Sequence, residues 1–133
     1  MQTDSIFTKI IQGEVPSYKV YEDEMTFAFL DIHPIQPGQV LVIPKQQVAY
    51  VWDLDDATYM ALMRTAKKVA HRLREVFSDK THVAMLVEGL DVAHAHLKLF
   101  AFSSDDEFHH RPDMSANPDY PQLEALAKRI AFE

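Results

Sequence analysis

Three basic side chains alternate along one stretch late in the chain: His94, His96 and Lys98. A β-strand turns alternate residues to the same face. Its rise of about 3.3 Å per residue would place neighbouring groups of this row roughly 7 Å apart. Imidazole serves as nucleophile, acid or base near neutral pH, and lysine contributes a fixed positive charge. The row is therefore suited to binding and attacking a phosphate group.

Two other interpretations of the row stay open from these residues alone. His94 and His96 are either incidental on a solvated strand face or part of a metal site. Burial is disfavoured, because three basic groups in a core would need anionic partners or would lose their charges. The opposite face of the strand is small and apolar, which suits packing under a helix: Ala93, Ala95, Leu97, Leu99 and Ala101.

The row lies on the second strand of a predicted hairpin. Strands over residues 82–87 and 92–102 flank Glu88-Gly89-Leu90-Asp91, which has the composition of a turn. Three earlier strands are predicted over residues 18–21, 26–32 and 40–43. A loop with two prolines and a glycine precedes the last of them, since such residues do not fit inside a ladder.

Helices are predicted to cover the sheet. The longest runs from about residue 55 to 77, with Asp55 or Asp56 as its cap. Its apolar residues recur at three- and four-residue steps, which predicts one buried stripe. The stripe comprises Tyr59, Leu62, Met63, Ala66, Val69, Ala70, Leu73 and Phe77. Thr3 or Asp4 is expected to cap a shorter helix near the start of the chain.

A final amphipathic helix is predicted to begin around Pro121, after a polar tail. The order of helix, strands, long helix, hairpin and helix predicts an α+β domain with an antiparallel sheet. We expect a single domain over residues 1–133, with a core of about 4–102 and a C-terminal tail and helix over 103–133.

Composition narrows the classes of function. The formal net charge of −7 argues against wrapping a nucleic-acid backbone, which needs clustered Lys and Arg. The chain has no cysteine, so disulfides and thiolate metal sites are excluded. No signal peptide and no membrane-spanning run is evident. A cytoplasmic protein without membrane or nucleic-acid partners is expected.

Several blocks of the sequence resemble the histidine triad (HIT) superfamily, in order along the chain. They are IFTKIIQGEVP over 6–16, VYED over 20–23, AFLDI over 28–32, PG at 37–38 and LVIPK over 41–45. His94-Ala95-His96-Leu97 is similar to the motif that names the family, His-φ-His-φ-His-φ-φ. The resemblance covers about residues 4–102 and is nearest to the Hint-like, bacterial branch.

The resemblance implies roles for individual residues. His96 matches the nucleophile that attacks the α-phosphorus of a nucleotide derivative, and His94 matches the histidine that orients it and holds phosphate. Asp31 matches the acid that binds both ribose hydroxyls; the alternative is an ordinary turn residue. The family's apolar base slot matches Ile6, Phe7, Ile10, Phe29, Ile32 and Leu41. For Ile10 and Leu41 the alternative is ordinary core packing.

The resemblance also implies an architecture and partners. Family members have a HIT-like α+β fold, with an antiparallel sheet and the long helix on one face. They pair as homodimers through that helix and the strand before the hairpin. The implied ligand is a purine nucleotide.

Three departures from the family pattern bear on function. Lys98 stands in place of the third histidine, which leaves phosphate binding possible but puts turnover in question. Ser5, Thr8 and Gln47 stand where many members have the Cys-x-x-Cys and histidine that bind zinc, so no cofactor or structural zinc is expected. Asp91 stands where a hydroxyl donor to the phosphate is common, and its charge would repel phosphate unless paired with a group such as Lys98.

Three functions follow as hypotheses. The first is a nucleotidyl hydrolase of phosphoramidase or dinucleoside polyphosphate hydrolase type, with His96, His94 and Lys98 as its catalytic residues. The second is a nucleotide sensor with little turnover, because of Lys98 and Asp91. The third is a metal protein that uses the histidine pair together with His109 and His110. For that tail we favour a surface position over a place in the site.

Overall fold

A computed structural model describes residues 2–133. Five strands form one antiparallel sheet in the order β1-β2-β3-β5-β4. The strands are β1 (Lys19–Glu22), β2 (Thr26–Leu30), β3 (Val40–Pro44), β4 (His82–Leu86) and β5 (Leu97–Phe102). The helices are α1 (Ile6–Ile11), α2 (Asp56–Val76), α3 (Asp105–Phe108) and α4 (Tyr120–Ile130), with a 3-10 turn at Val51–Asp53. The predicted α+β class with an antiparallel sheet is confirmed.

Helix α2 covers one face of the sheet, as its apolar stripe predicts. All eight predicted stripe residues lie in or pack against the main core, together with alternate residues of the strands such as Leu30, Val42 and Leu97. Asp55 caps the helix by accepting from Thr58 N at 2.8 Å, so the first of the two predicted caps is confirmed. No helix of residues 2–133 is both long and apolar enough to cross a bilayer.

Helix α4 extends the same core. Its apolar residues Leu123, Leu126, Ala127 and Ile130 belong to the cluster under α2. Arg72 of α2 holds the end of α4 by donating from Nε to Ile130 O at 2.9 Å. The loop before β3 passes close to this end at Gly38, where φ is +86° and an added Cβ would lie 2.5 Å from the Phe77 ring. Glycine is needed there for both conformation and space.

The opposite face of the sheet is covered by the two short helices. Phe7 of α1 packs in a separate buried cluster with Phe27, Phe29, Leu41 and Ile43. Phe108 of α3 packs against Phe100 and Phe102 of β5, with ring centroids 5.8 Å and 5.2 Å apart. Lys98 shares a face of β5 with Phe100 and Phe102, and His96 contacts Phe7, so both side chains lie on this same side of the sheet.

Three local predictions are wrong. Strand β5 begins at Leu97, because the peptide of Ala95 donates to Val48 O at 2.7 Å and not to a neighbouring strand. The connection from β4 is therefore an irregular segment over residues 87–96, longer than a hairpin turn. Ser5 caps α1 in place of Thr3 or Asp4.

The predicted polar tail also contains an element that sequence patterns did not indicate. Ser104 Oγ accepts from Glu107 N at 3.2 Å and starts the one-turn helix α3. Gln36, in the loop before β3, donates from Nε2 to Glu107 O at 2.9 Å and ties α3 to the sheet. The first part of the tail is therefore bound to the face that carries His96 and Lys98.

Candidate active site

The imidazole of His96 is held in one orientation. Its side chain is nearly buried, and Nδ1 lies 2.8 Å from the carbonyl oxygen of His94. A carbonyl oxygen only accepts, so Nδ1 carries the proton and the lone pair of the neutral ring is on Nε2. Phe7 packs edge-on against the ring at a centroid distance of 5.2 Å. The ring of His96 is thus held in one orientation, with Nε2 as the nitrogen that the His94 carbonyl leaves free.

His94 is completely buried, with 0% of its surface exposed. Its Nε2 lies 2.8 Å from Pro44 O and its Nδ1 lies 2.7 Å from Ser5 Oγ. Burial lowers the pKa of His94, since the charged ring would lose its hydration, and the neighbouring His96 acts in the same direction. The prediction that this row avoids burial is wrong for the histidines, because each buried ring is hydrogen-bonded to a backbone carbonyl.

Lys98 forms an ion pair with a carboxylate that the sequence did not indicate. Its Nζ lies 3.1 Å from Glu88 Oε1, and 15% of its side chain is exposed. The strand register places Lys98 opposite Leu86, so a residue just beyond β4 comes alongside it. The suggested partner Asp91 has an exposed side chain. The carboxylate beside Lys98 is therefore that of Glu88.

Asp31 follows β2 and, by alternation with Phe29, lies on the face of the sheet that carries His96. Its Oδ1 accepts from His33 N and its Oδ2 accepts from Gln39 Nε2, both at 2.9 Å. Burial raises the pKa of Asp31, although these donors and the positive charge of Lys98 oppose the shift. Gln39, the donor to Asp31, is buried. In the sequence it is a polar residue directly before the apolar run of β3, and that position is the signal that could have identified it.

The apolar residues assigned to a base slot divide into two groups. Phe7, Phe29 and Leu41 belong to the buried cluster beneath α1, and Ile10 packs against it. Ile6 and Ile32 are 44% and 43% exposed, so they lie at the surface and not in that cluster. The cluster provides a floor of apolar side chains, and the two isoleucines leave apolar surface accessible to a ligand.

The residues at the family's zinc positions do not fit a zinc ion. Ser5 and Thr8 offer hydroxyls and Gln47 offers an amide, and these groups bond to one another, with Thr8 Oγ1 lying 2.6 Å from Gln47 Oε1. Zinc in proteins is bound by thiolates, imidazoles and carboxylates. Within residues 2–133, no three His, Cys, Asp or Glu side chains converge as a metal site would require.

The histidines of the tail do not support the metal hypothesis. His109 ends α3, where its Nδ1 lies 3.0 Å from Asp105 O, and both His109 and His110 are exposed. The tail therefore presents these histidines at the surface, as we favoured from the sequence.

The arrangement defines a class of protein: an α+β fold with a fixed histidine pair and a carboxylate on one face of an antiparallel sheet. The HIT domain family matches residues 12–102, and the chain belongs to that family. A HIT-like protein of Borreliella burgdorferi is 32% identical over 97% of both chains. A solved HIT-like protein from Bartonella henselae has a TM-score of 0.80 and 30% identity, over 98% of this chain and 96% of that one. The expected HIT-like fold is confirmed.

One characterised relative carries an activity in its name. The adenosine 5'-monophosphoramidase HNT1 of Saccharomyces cerevisiae is 41% identical over 69 residues, which is 52% of this chain and 44% of the yeast protein. The family thus includes a nucleotide hydrolase. Because the match spans less than half of the yeast protein, its activity is informative for this chain only as a proposal.

Proposed function

We propose that this protein is a nucleotide-binding hydrolase that cleaves purine nucleoside phosphoramidates or dinucleoside polyphosphates at the α-phosphorus. The observation that carries the proposal is the orientation of His96. Its Nδ1 proton is engaged by the carbonyl of His94, so Nε2 is the free nucleophilic nitrogen. The yeast relative, an adenosine 5'-monophosphoramidase, supports this substrate class.

Binding is proposed to use both ends of the sheet face. Each oxygen of Asp31 already accepts one hydrogen bond from the chain. A carboxylate oxygen has a second lone pair, so the two oxygens can accept from the two adjacent hydroxyls of a ribose. Ile6 and Ile32 would grip the base over the floor of Phe7, Phe29 and Leu41. The ammonium of Lys98 would attract the phosphate as a point charge.

The proposed reaction has two displacement steps. His96 Nε2 attacks the α-phosphorus, a bond forms between them, and the bond from phosphorus to the leaving amine or phosphate breaks as that group leaves. An amine leaving group takes up a proton from solvent, which the second step returns. Water then attacks the nucleotidyl-histidine, the phosphorus–nitrogen bond breaks, and the nucleoside monophosphate leaves while the proton of water passes to solvent. His94 holds its partner ring, and Lys98 and Glu88 adjust the charge near the phosphate.

The test is turnover of adenosine 5'-phosphoramidate. Wild-type protein should release AMP, and mass spectrometry of acid-free quenched samples should show one nucleotidyl group on His96. His96→Ala should lose both signals, with a fall in kcat of at least about a thousandfold. His82→Ala is the matched control, since His82 lies at the exposed far end of β4. Absence of AMP release above the His96→Ala level, with dinucleoside polyphosphates tested as well, contradicts the proposal.

A second candidate function is a nucleotide sensor with negligible turnover, which the Lys98–Glu88 ion pair favours. A lysine cannot act as a neutral imidazole, and this lysine already has an anionic partner. Calorimetry should then show AMP binding without hydrolysis. Glu88→Gln should strengthen AMP binding by freeing the ammonium, and Lys98→His should raise turnover. Unchanged turnover in Lys98→His removes the reason for preferring a sensor.

We also propose that two copies pair through β4 and the adjoining α2 surface. Within residues 2–133, β4 has a strand partner on one side only. Exposed apolar side chains include Met85 of β4 and Met60 of α2. Exposed apolar surface next to an open strand edge is typical of an interface. Light scattering should give the mass of a dimer, and Met85→Lys should give that of a monomer; a monomeric wild type contradicts the pairing.

A further inference from the structure

Four polar side chains form a hydrogen-bonded cluster at the start of α1. We call it the Ser5 cluster; it consists of Ser5, Thr8, Gln47 and His94. Ser5 Oγ lies 2.7 Å from His94 Nδ1, and Thr8 Oγ1 lies 2.6 Å from Gln47 Oε1. The same Gln47 oxygen accepts from Ser5 N at 2.8 Å. The cluster therefore joins α1 to the segment that follows β3 and to the segment that precedes β5.

The direction of each hydrogen bond follows from the one partner that can only accept. Pro44 O receives the Nε2 proton of His94, so the neutral ring turns the lone pair of Nδ1 toward Ser5, whose hydroxyl donates. Ser5 Oγ in turn accepts from Thr8 N at 3.0 Å. Thr8 Oγ1 donates to Gln47, because an amide oxygen cannot donate. One arrangement of protons satisfies every member of the cluster.

Among the members of the Ser5 cluster, His94 is the one that contacts the ring of His96. Its side chain is held by the cluster and by β3, and its carbonyl oxygen accepts from His96 Nδ1 at 2.8 Å. Phe7, which lies between Ser5 and Thr8 in the sequence, packs edge-on against both imidazoles, at 5.8 Å and 5.2 Å. A shift of α1 would therefore disturb His94 through its hydrogen bond with Ser5. It would disturb His96 through the Phe7 ring and through the carbonyl of His94.

We propose that Ser5, Thr8 and Gln47 are positioning residues, which together with Pro44 O hold the ring of His94 in its Nε2–H tautomer, so that the carbonyl of His94 fixes the attacking nitrogen of His96. The effect on rate rests on the proposed function, whereas the effect on the tautomer does not. The cluster performs this task with neutral hydroxyl and amide groups. Since the residues are buried or half-buried, their hydrogen bonds are protected from competing water.

A simpler role for Ser5 is that of a helix cap alone. Ser104 provides the comparison: it caps α3 through the same kind of bond, to Glu107 N at 3.2 Å. Ser5 makes such a bond to Thr8 N and in addition donates to His94. If capping were its whole function, replacing either serine should affect stability and leave catalysis unaltered. The two serines therefore make a matched pair for experiment.

The experiment measures kcat and KM for adenosine 5'-phosphoramidate, thermal stability, and the imidazole ¹⁵N shifts that report tautomers. Ser5→Ala removes the donor to His94, and kcat should fall about ten- to a hundredfold with KM changed less than about threefold, because misplacement of a reacting group costs up to about a hundredfold. Ser5→Thr keeps hydroxyl and cap and should restore kcat. Ser104→Ala should leave kcat within about twofold of wild type.

Ser5→Asp separates the cap from the positioning role. Aspartate caps helices as well as serine does, so α1 should stay intact. Its carboxylate cannot donate, so Nδ1 of His94 must carry a proton, and the ¹⁵N spectrum should show a doubly protonated ring. The kcat of this variant should fall as in Ser5→Ala. Thr8→Val, which keeps the backbone bond to Ser5, should give a smaller fall of the same kind.

The outcomes distinguish this inference from the proposed function. If Ser5→Ala and Ser5→Asp keep wild-type kcat and wild-type ¹⁵N shifts at both histidines, the positioning role is wrong, even when wild type is active. If wild type releases no AMP from the phosphoramidate or from dinucleoside polyphosphates, the hydrolase proposal fails, and the ¹⁵N spectra alone test the positioning role. A changed His94 tautomer with a displaced His96 Nδ1 signal then supports the inference, and unchanged spectra overturn it.

Discussion

The two short helices on the site face of the sheet are attached to the sheet by different kinds of contact. At α1, the contacts are buried and neutral: Phe7 packs on both site histidines, and Ser5 bonds to His94. At α3, the packing of Phe108 is accompanied by a partly exposed ion pair: Lys80 Nζ lies 2.6 Å from Glu107 Oε2. Lys80 and Glu107 each have between a quarter and a third of the side chain exposed, whereas His94 has none.

This difference indicates how each side should respond to change. Buried packing and neutral hydrogen bonds depend on shape, so α1 should be sensitive to truncation and to protonation. Surface ion pairs contribute little to the free energy of unfolding, because water and salt screen their charges. His96, the proposed nucleophile, contacts Phe7 of α1 and is hydrogen-bonded to His94, which is held from the α1 side. Changes in α1 should therefore affect the proposed reaction, and changes in α3 should not.

The largest expected effect comes from truncating the aromatic residue of each helix. Phe7→Ala removes a nearly buried ring from the cluster with Phe29 and Leu41, and should cost about 3–5 kcal/mol of unfolding free energy. Phe108→Ala removes a half-buried ring and should cost roughly 1–2 kcal/mol. Urea unfolding followed by circular dichroism measures both. Equal losses in the two variants, or a larger one for Phe108→Ala, would show that the helices are held alike.

Much of the sheet and of the long helix that positions the site could be predicted from the sequence. Helix α2 has a continuous apolar stripe and an aspartate cap, and β2 and β3 have dense apolar runs. These are local signals with strong periodicity. Helix α3 lacked such a signal, because one turn is too short for a period and its attachment through Gln36 is a long-range contact.

The candidate site was predicted by residue type but not by environment. The pattern of His94 and His96 predicted their shared face correctly, yet placed both at the surface of a regular strand. Their burial depends on Ser5 and Pro44, which are distant in sequence and adjacent only after folding. The partner of Lys98 was missed for the same reason, since it is set by strand register. Alternation along one strand predicts which residues share a face. Hydrogen-bond partners from other elements can be identified only in the folded protein.

The second prediction concerns pH, where the two helices should respond in different ranges. The pKa of His94 is lowered from 6.5, mainly by burial, so the unfolded chain binds more protons there than the folded chain. Stability from this group is complete above pH 6.5 and is lost as the pH falls below it, by up to about 1.4 kcal/mol per pH unit. The pKa of Glu107 is lowered from 4.5 by its bond with Lys80, so its contribution is lost only as the pH falls below 4.5.

Urea midpoints between pH 7 and pH 4 measure this difference. The urea midpoint of wild type should fall steadily below pH 6.5. The midpoint of His94→Asn, whose amide can still donate to Pro44 O, should depend less steeply on pH. The raised pKa of Asp31 acts with the opposite sign just above pH 3.8, so the comparison between variants is more informative than the wild-type curve alone. Parallel curves for wild type and His94→Asn would contradict a neutral, buried His94.

The smallest effect is expected from the ion pair of α3. Lys80→Ala should lower the urea midpoint by less than Phe108→Ala does, and the difference from wild type should disappear in about 1 M salt, where charges are screened within a few ångströms. AMP affinity should be unchanged. Lys98→Ala is the matched variant, since Lys98 pairs with Glu88 beside the site at 3.1 Å.

The two lysine variants should differ in ligand binding much more than in stability. Lys98→Ala removes a charge proposed to contact phosphate, and it should weaken AMP binding by about tenfold, which corresponds to about 1.4 kcal/mol. Calorimetry with AMP at two salt concentrations measures this. If Lys80→Ala weakens AMP binding as much as Lys98→Ala does, the attraction comes from overall charge and not from a local contact. The α3 side would then contribute to function, and the contrast between the two helices would be wrong at that point.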